Sequence, residues 1–278
     1  MVHTMAALLG WLRDAAGRLA LDEHLVERCQ TLAGTCCVVD THDADGAAVR
    51  VLEVDGTWQS ACYLGDAWAE PVFAYHRLYE RLFDVTPGAR RLLVLGGGGM
   101  SFPTAAIARH DDVSVDVVEL DAEVIRVARE HFALGRLEEL THAQRDDRLR
   151  IVQGDARSFL EDADARWDAI LNDCFSAEEP LESLMTAEAA RTIHERLAPG
   201  GVYLTNVVSA LEGPRSQPVR DVVAALEGHF AHVRVLPCGA DEPTLPDNNV
   251  VVAFDHDCEL APTWELSDAP APRVRHDA

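Results

Sequence analysis

The chain has few basic residues for its length. It is 278 residues long and carries 24 Lys and Arg against 47 Asp and Glu, which gives a formal net charge of -23. A surface of this sign repels the phosphate backbone of nucleic acids, so we expect no nucleic-acid partner. The same charge attracts small cations, although it also serves solubility alone.

Several other features are missing from the sequence. No C-x-x-C pair occurs among the seven cysteines, so neither a disulfide framework nor a zinc site is indicated, and we expect no bound metal. No uncharged apolar run is long enough to cross a bilayer, and no basic segment followed by an apolar run opens the chain as a signal peptide requires. We therefore expect a cytoplasmic protein with no membrane partner.

The first 86 residues are predicted to form helices and a small antiparallel sheet. Apolar residues follow helical spacing from Met5 to Leu32. Three strands are predicted next, with Asp55-Gly56 as a hairpin turn; they are Cys37–Val39, Val49–Val54 and Trp58–Tyr63. A helix over Pro71 to Phe83 follows, because Pro71 suits the first turn of a helix.

Residues 87–260 alternate short apolar strands with amphipathic helices. The predicted strands are 92–95, 113–118, 149–152, 167–171, 202–208, 232–236 and 250–254, and the predicted helices are 103–109, 122–132, 156–160, 186–197 and 217–228. This alternation is typical of an α/β domain with a doubly wound, mainly parallel, Rossmann-like sheet. Residues 261–278 are rich in Pro, Ala and charge and are predicted to form a flexible tail.

A glycine-rich turn is the strongest local signal. The apolar strand Leu92–Leu95 runs directly into the four glycines Gly96 to Gly99. Glycine permits the tight turn and the close backbone approach that a bound nucleotide needs at this place. A flexible loop without a ligand is the competing interpretation, but the position after the first strand of an alternating series favours a nucleotide site.

Acidic residues follow the next three strands. Glu119 ends the second strand, at about the 20-residue interval after the turn that suits a carboxylate binding ribose hydroxyls. Asp155 follows the third strand and suits either an adenine amino group or the N-cap of the next helix. Asp173 follows the fourth strand. Ligands of such sheets lie beyond the carboxyl ends of the strands, so Asp173 is directed at the reactive part of the nucleotide.

The turn does not match the dinucleotide fingerprint. A G-x-G-x-x-G pattern starting at Gly96 or Gly97 requires glycine where the chain has Ser101 or Phe102. The sequence therefore favours an adenosyl sulfonium nucleotide over NAD.

With these motifs in this order, the chain resembles the spermidine synthase family of polyamine aminopropyltransferases, which share the fold of class I methyltransferases. The resemblance runs from about Val38 to Phe254 and also includes Gln59-Ser60 and Tyr75-His76. It implies a cleft that binds S-adenosylmethionine or its decarboxylated form, and it suggests a homodimer.

The resemblance also implies roles for individual residues. Asp173 is expected to orient and deprotonate an attacking amine, with Tyr75 bordering the same cleft as a second catalytic residue. Glu119 is expected to hold the ribose, Asp155 and Ala156 to read adenine, and Gln59 and His76 to lie along the nucleotide and its tail. The complete set of expected nucleotide-binding residues is Gln59, His76, Gly96, Gly97, Gly98, Glu119, Leu120, Asp155, Ala156 and Asp173.

Three positions depart from the family pattern. Gly99 replaces an Asp of the glycine turn, Ser176 replaces the second Asp of the motif after the fourth strand, and Arg77 replaces an acid after Tyr75-His76. Two unit charges ~4 Å apart interact by about 4 kcal/mol at a dielectric constant of about 20, so an acid at position 99 disfavours the carboxylate of intact S-adenosylmethionine. We therefore expect Gly99 to leave room for that carboxylate, although Glu178 or Glu179 can partly replace the lost acids.

These observations leave several functions open. The first hypothesis is methyl transfer from S-adenosylmethionine to a small-molecule acceptor such as an amine. The alternative is aminopropyl transfer from decarboxylated S-adenosylmethionine to form a polyamine. A non-catalytic nucleotide-binding protein is a third hypothesis, because the acids are missing, and a nicotinamide oxidoreductase is the last.

Overall fold

The computed structural model describes residues 23–43, 45–176, 179–180, 182–239, 241–267 and 270–277. The part of the predicted N-terminal helices that precedes residue 23 lies outside the described residues. The domain boundaries at residues 87 and 261 stay predictions.

A four-stranded antiparallel meander opens the described chain. Its strands are β1 (His24–Thr31), β2 (Gly34–His42), β3 (Ala48–Val54) and β4 (Thr57–Tyr63), in that spatial order. The helix predicted through residue 32 is wrong for β1. These residues pair with β2 across a two-residue turn, with Cys29 opposite Cys36, and Val26 and Cys29 pack against a buried apolar cluster. Pairing and burial outweigh the helical spacing of the sequence.

Two short helices replace the single helix predicted over residues 71–83. They are α1 (Ala74–Tyr79) and α2 (Leu82–Val85). Pro71 forms an isolated β-bridge with Cys62. The backbone is therefore extended where the prediction started the helix.

The remaining strands form one seven-stranded sheet and one two-stranded sheet. The strands of the large sheet are β5 (Arg91–Leu95), β6 (Ser114–Glu119), β7 (Leu149–Gln153), β8 (Trp167–Asn172), β11 (Leu197–Ser209), β12 (His232–Pro237) and β13 (Asp247–Phe254). Their spatial order is β12-β13-β11-β8-β5-β6-β7, in which only β13 is antiparallel to its neighbours. The pair β9 (Phe175–Ser176) and β10 (Glu179–Pro180) lies between β8 and β11 in the chain.

Helices connect the strands of the large sheet. They are α3 (Ser101–Arg109), α4 (Ala122–His131), α5 (Leu134–Thr141), α6 (Ala156–Asp162), α7 (Ala187–Arg196) and α8 (Gln217–Glu227), together with 3₁₀ turns at Glu182–Leu184 and Pro214–Ser216. The predicted mainly parallel α/β fold is confirmed, although the sequence reading missed α5. None of the described helices is both long and apolar enough to span a bilayer.

The small sheet packs directly on the element that carries the glycine turn. Ser101, the first residue of α3, donates a hydrogen bond of 2.7 Å to the carbonyl oxygen of Ala61 on β4. The hydroxyls of Ser60 and Ser101 are 3.0 Å apart. The small sheet therefore forms one wall beside the carboxyl ends of the large sheet's strands.

The segment predicted as a flexible tail makes specific contacts in its described part. Buried Arg220 on α8 donates hydrogen bonds to the carbonyl oxygen and the hydroxyl of Ser267. The backbone N–H of Arg273 donates to Asp221 at 2.8 Å, and Asp277 pairs with Arg157 at 2.6 Å. The segment lies against α6 and α8, and its flexibility stays a prediction.

Candidate active site

The glycine turn packs closely against other parts of the chain. Gly96 has a φ of +86°, and a Cβ atom on it would lie 2.6 Å from the carbonyl oxygen of Asp173. A Cβ on Gly97 would lie 2.5 Å from Cε of Met100, and Gly98 has a φ of +48°. The sequence signal therefore reports a close approach, because the turn after β5 touches the backbone that follows β8.

Glu119 lies over this turn and not in bulk water. Its Oε2 accepts hydrogen bonds from the N–H groups of Gly97 at 2.9 Å and Gly98 at 3.2 Å, and its Oε1 accepts from the N–H of Asp121 at 3.0 Å. A carboxylate has about four acceptor positions, so this anchored group can still accept a hydrogen bond from a ribose hydroxyl. The neighbouring Leu120 is 53% exposed, and an apolar side chain at this edge offers a surface for a flat ring.

Asp155 takes the structural role that the sequence left open. Its Oδ1 accepts from the backbone N–H of Ser158 at 2.8 Å and from that residue's hydroxyl at 2.9 Å, which makes Asp155 the N-cap of α6. Ala156 is buried, and its side chain belongs to the core. Adenine binding by this pair stays a prediction, and for Ala156 it requires the backbone N–H.

Asp173 lies at the centre of a polar cluster. Its Oδ2 accepts from the hydroxyl of Tyr75 at 3.1 Å and lies 3.2 Å from Nε2 of His76. Its Oδ1 accepts from the side-chain amide of Asn206 at 3.3 Å. The side chain of Asp173 keeps 15% of its surface exposed. The two adjacent residues of α1 predicted for the cleft therefore both contact the predicted catalytic acid.

The acids predicted at three separate strand ends all act on the thiol of Cys174. Burial, followed by the charges of Glu119, Asp173 and Asp155, raises the pKa of the Cys174 thiol well above its ordinary value. Burial and the neighbouring Asp173 carboxylate likewise raise the pKa of Tyr75. The Tyr75 hydroxyl therefore stays protonated at neutral pH and serves as a hydrogen-bond donor to Asp173.

Gly99 does not open space in the cleft. It is buried, and a Cβ on it would lie 2.8 Å from both Cδ1 of Phe132 and Oγ of Ser60. The expectation that Gly99 leaves room for a carboxylate is wrong, because these two side chains fill that space. Gln59 lies near the same turn, with its carbonyl oxygen 3.9 Å from the Cβ position of Gly98.

The other two departures from the family pattern have different outcomes. Arg77 is exposed and donates to the carbonyl oxygens of Pro71 at 2.9 Å and Val72 at 3.2 Å, so its charge supports the segment before α1. The side chains of Ser176 and Glu179 and all of Glu178 lie outside the described part of the chain. Their contribution to the cleft stays a prediction.

Sequence reasoning missed two asparagines of the site. Asn206 on β11 is 3% exposed, and its amide also donates to Oδ1 of Asn248 on β13 at 3.0 Å. The signal was present, because Asn206 interrupts the apolar run of a strand that is buried on both faces. A buried polar residue at the carboxyl end of such a strand indicates a specific hydrogen-bonding role.

Two groups near α4 have the spacing of metal ligands. They are Glu27, Cys29 and Glu123, and Glu27, Glu130 and His131. Arg126 donates to Glu27 and Glu130 at 2.5 Å and to Glu123 at 2.7 Å. A guanidinium therefore already donates hydrogen bonds to all three carboxylates, and the expectation of no bound metal stays a prediction.

The chain is similar to known proteins over much of its length. The family model described as the spermine/spermidine synthase domain matches residues 73–252. Polyamine aminopropyltransferase 2 of Hyperthermus butylicus is 31% identical over 170 residues, which are 60% of this chain and 52% of that protein. The chain thus spans about half the length of the curated relatives it matches first.

Solved structures share the fold. A probable spermidine synthase from Corynebacterium glutamicum has a TM-score of 0.73 and 21% identity, over 93% of this chain and 98% of that one. Human methyltransferase-like protein 13 has a TM-score of 0.55 and 19% identity, over 66% of this chain and 83% of that one. Identity at this level supports a common methyltransferase-like architecture and nothing about substrates.

Proposed function

Because this chain belongs to the spermine/spermidine synthase family, we propose that it transfers an aminopropyl group from decarboxylated S-adenosylmethionine to a small amine. The observation that carries the proposal is the contact between the glycine turn and the Asp173 segment. This contact brings a nucleoside cradle and a hydrogen-bonded carboxylate to the same edge of the sheet.

The nucleotide end of the cleft rests on Glu119 and the turn. Three backbone N–H groups fix this carboxylate before any ligand arrives. Pre-organisation of this kind lowers the entropy cost of binding the ribose. Leu120 supplies an exposed apolar surface beside it, and the backbone N–H of Ala156, at the first residue of α6, is the group that we propose to meet the adenine ring.

The reaction we propose is a direct displacement. The amine nitrogen forms a bond to the carbon attached to sulfur, the carbon–sulfur bond breaks, and its electron pair stays on sulfur, which leaves the nucleotide as a neutral thioether. The attacking nitrogen loses one proton, and Asp173 accepts it. Alignment of the reactants can supply roughly 7–11 kcal/mol of the barrier, and a positioned base about 10²–10⁴-fold in rate.

Three side chains orient Asp173 for this role. Tyr75 and His76 hold Oδ2, and Asn206 holds Oδ1. The carboxylate is therefore fixed in one rotamer while part of its surface faces the cleft. A fixed base avoids reorganisation at the moment of proton transfer.

Methyl transfer, the first hypothesis from sequence, is less well supported than aminopropyl transfer. The relatives that match are named polyamine aminopropyltransferases, and the relation to methyltransferases is one of fold. The physical argument for intact S-adenosylmethionine required open space at Gly99, and Phe132 and Ser60 fill that space.

Product analysis separates the candidate reactions. The purified protein is incubated with decarboxylated or intact S-adenosylmethionine and a panel of linear diamines, and the thioether products are identified by mass spectrometry. We expect methylthioadenosine from the decarboxylated nucleotide only. Adenosylhomocysteine from the intact nucleotide would instead establish methyl transfer. If neither nucleotide gives a product, the hypothesis of a non-catalytic nucleotide-binding protein is favoured.

Asp173→Asn tests the base within the same assay. Asparagine keeps the size and the hydrogen bond from Tyr75 but cannot accept the proton. We expect kcat to fall by about 10²–10⁴-fold, and calorimetry with the decarboxylated nucleotide separates this loss from any loss of binding. Unchanged kcat would reject Asp173 as the base.

A further inference from the structure

Asn206 is a buried amide beside the proposed base. Its neighbours on the same face of β11, Val202 and Leu204, are fully buried in the apolar core. Asn206 is only 3% exposed, and it is a polar residue on this apolar face, at the point where β11 lies next to Asp173. Packing alone gives no reason for an amide there, since a buried polar group is unfavourable unless its hydrogen bonds are satisfied.

The orientation of the Asn206 amide follows from its partners. An ionised carboxylate only accepts hydrogen bonds, so the NH₂ group must face Asp173. The same Nδ2 atom lies 3.3 Å from Oδ1 of Asp173 and 3.0 Å from Oδ1 of Asn248. Oδ1 of Asn206 is then left buried and without a partner among the described residues.

The buried Oδ1 of Asn206, next to the proposed base, can still accept a hydrogen bond from a donor. A buried acceptor without a hydrogen bond costs more free energy than a typical hydrogen bond contributes. Such an acceptor therefore marks a strained or functional site. The Oδ1 and Nδ2 atoms of Asn206 share one carbon, which keeps Oδ1 close to the Asp173 carboxylate. A donor that approaches Asp173 from the cleft therefore comes near the Asn206 oxygen as well.

We infer that Asn206 is a positioning residue for the acceptor: its NH₂ group fixes Asp173, and its Oδ1 accepts a second N–H bond of the attacking nitrogen. This inference rests on the proposed aminopropyl transfer. A primary amine can give one N–H to Asp173 and another to Asn206. Replacing one of its hydrogens by a methyl group removes the second hydrogen bond and brings carbon against an unpaired oxygen.

The test compares two substrates across variants. The probes are a linear diamine of three to five carbons, such as 1,4-diaminobutane, and its N,N′-dimethyl derivative, each with decarboxylated S-adenosylmethionine. In the unmodified protein we expect kcat/KM to be at least about tenfold higher for the diamine, the scale of one hydrogen bond. In Asn206→Leu the preference should fall to about one, with the loss for the diamine mainly in kcat.

Asn249→Ser is the matched control on the neighbouring strand. Asn249 is also fully buried, but its amide donates to backbone carbonyl oxygens, at 2.8 Å for both Ser209 and Asp247. Its substitution is expected to lower the melting temperature without changing the preference between the two amines. Asn206→Ser provides a second variant at the site if Asn206→Leu does not fold.

The outcomes separate this inference from the proposed function. If the unmodified protein releases no methylthioadenosine with any diamine, the proposed function fails and the role of Asn206 fails with it. If turnover occurs but both Asn206 variants keep the full preference for the unmethylated amine, only the role of Asn206 is overturned. An equal loss of activity on both amines means that Asn206 is structural, and this too rejects the inference.

Discussion

Gly96 is the residue at which the backbone of the site is most constrained. It combines a φ of +86° with a Cβ position 2.6 Å from the carbonyl oxygen of Asp173. Gly96→Ala is expected to cost about 1–3 kcal/mol of unfolding free energy from the backbone conformation alone. It should also lower kcat/KM by about a hundredfold, because it displaces the base by a fraction of an ångström to ~1 Å.

Gly135→Ala provides the control for that substitution. Gly135 lies on α5, and a Cβ on it meets nothing within 4 Å. Alanine there should stabilise the protein by up to about 1 kcal/mol and leave kcat/KM unchanged. Both quantities are measured by urea denaturation and steady-state kinetics. Equal behaviour of the two variants would mean that the turn is not held against Asp173.

Asp247 gives a prediction for the pH dependence of stability. Burial raises the pKa of Asp247 from its ordinary 3.8 to about 6, so the folded protein keeps this proton to a higher pH than the unfolded chain does. The stability that the protonated carboxyl group of Asp247 contributes is therefore lost as pH rises from about 4 to about 6. Asp247→Asn cannot ionise and keeps an acceptor for the N–H of Asn248, at 2.6 Å from Oδ1. We expect it to raise the unfolding free energy at pH 8 by about 1–3 kcal/mol, with less gain at pH 5.

Asp255 at the other end of β13 should behave in the opposite way. Burial raises the pKa of Asp255, but hydrogen bonds from the N–H of Ala231 and from His194 outweigh this and lower it. Asp255→Asn should therefore reduce stability at pH 8, as measured by thermal denaturation.

For Asp247, an equal gain in stability from Asp247→Asn at pH 5 and pH 8 would contradict the titration argument.

At the level of single residues, the sequence predicts those site residues that can be recognised from their position after a strand. Gly96, Glu119 and Asp173 follow strands at spacings that a nucleotide site requires, and the structure brings them together. Asn206 was missed because its contact with Asp173 joins residues 33 positions apart in the chain. Gly99 was misinterpreted because its neighbour Phe132 is distant in sequence, and composition gives no sign of such a contact.

At the level of elements, hydrophobic periodicity predicted the strands of the large sheet better than it predicted the N-terminal strand β1. Strands β5, β6 and β8 lie between turn signals and are largely buried, so local pattern and tertiary packing agree. Strand β1 was predicted as helix because its apolar residues also fit helical spacing. Only its pairing with β2 and its packing on the core decide the conformation.

The C-terminal segment provides a prediction for an element without regular structure. It covers the guanidinium of Arg220, which is 4% exposed and donates to Ser216 at 2.7 Å and to both oxygens of Ser267. Deleting residues 263–278 removes the partners on Ser267. We expect the unfolding free energy to fall by about 1–3 kcal/mol for each hydrogen bond to this charged group that is lost, as measured by urea denaturation.

Arg220→Met tests whether this charge is the reason. Methionine fills similar space without a donor, so the deletion should cost less in Arg220→Met than in the unmodified background. Hydrogen exchange adds an independent measurement, because the N–H of Trp264 donates to Val235 at 2.8 Å and should be protected. No loss of stability on deletion, together with rapid exchange, would support the predicted flexible tail.

At the level of the whole molecule, net charge links the sequence to the kinetics of the proposed reaction. The chain carries -23 formal charges, and both the diamine and the decarboxylated nucleotide are cations. A field of one sign steers oppositely charged ligands, and salt screens it, with a Debye length that falls from ~30 Å at 0.01 M to about 8 Å at 0.15 M. We expect kcat/KM for the diamine to fall by about tenfold between 10 and 300 mM NaCl. Methylthioadenosine is neutral, so its dissociation constant measured by calorimetry over the same range should hardly change. A parallel loss for both ligands would show that salt acts on the fold of the cleft, and the steering argument would then be wrong.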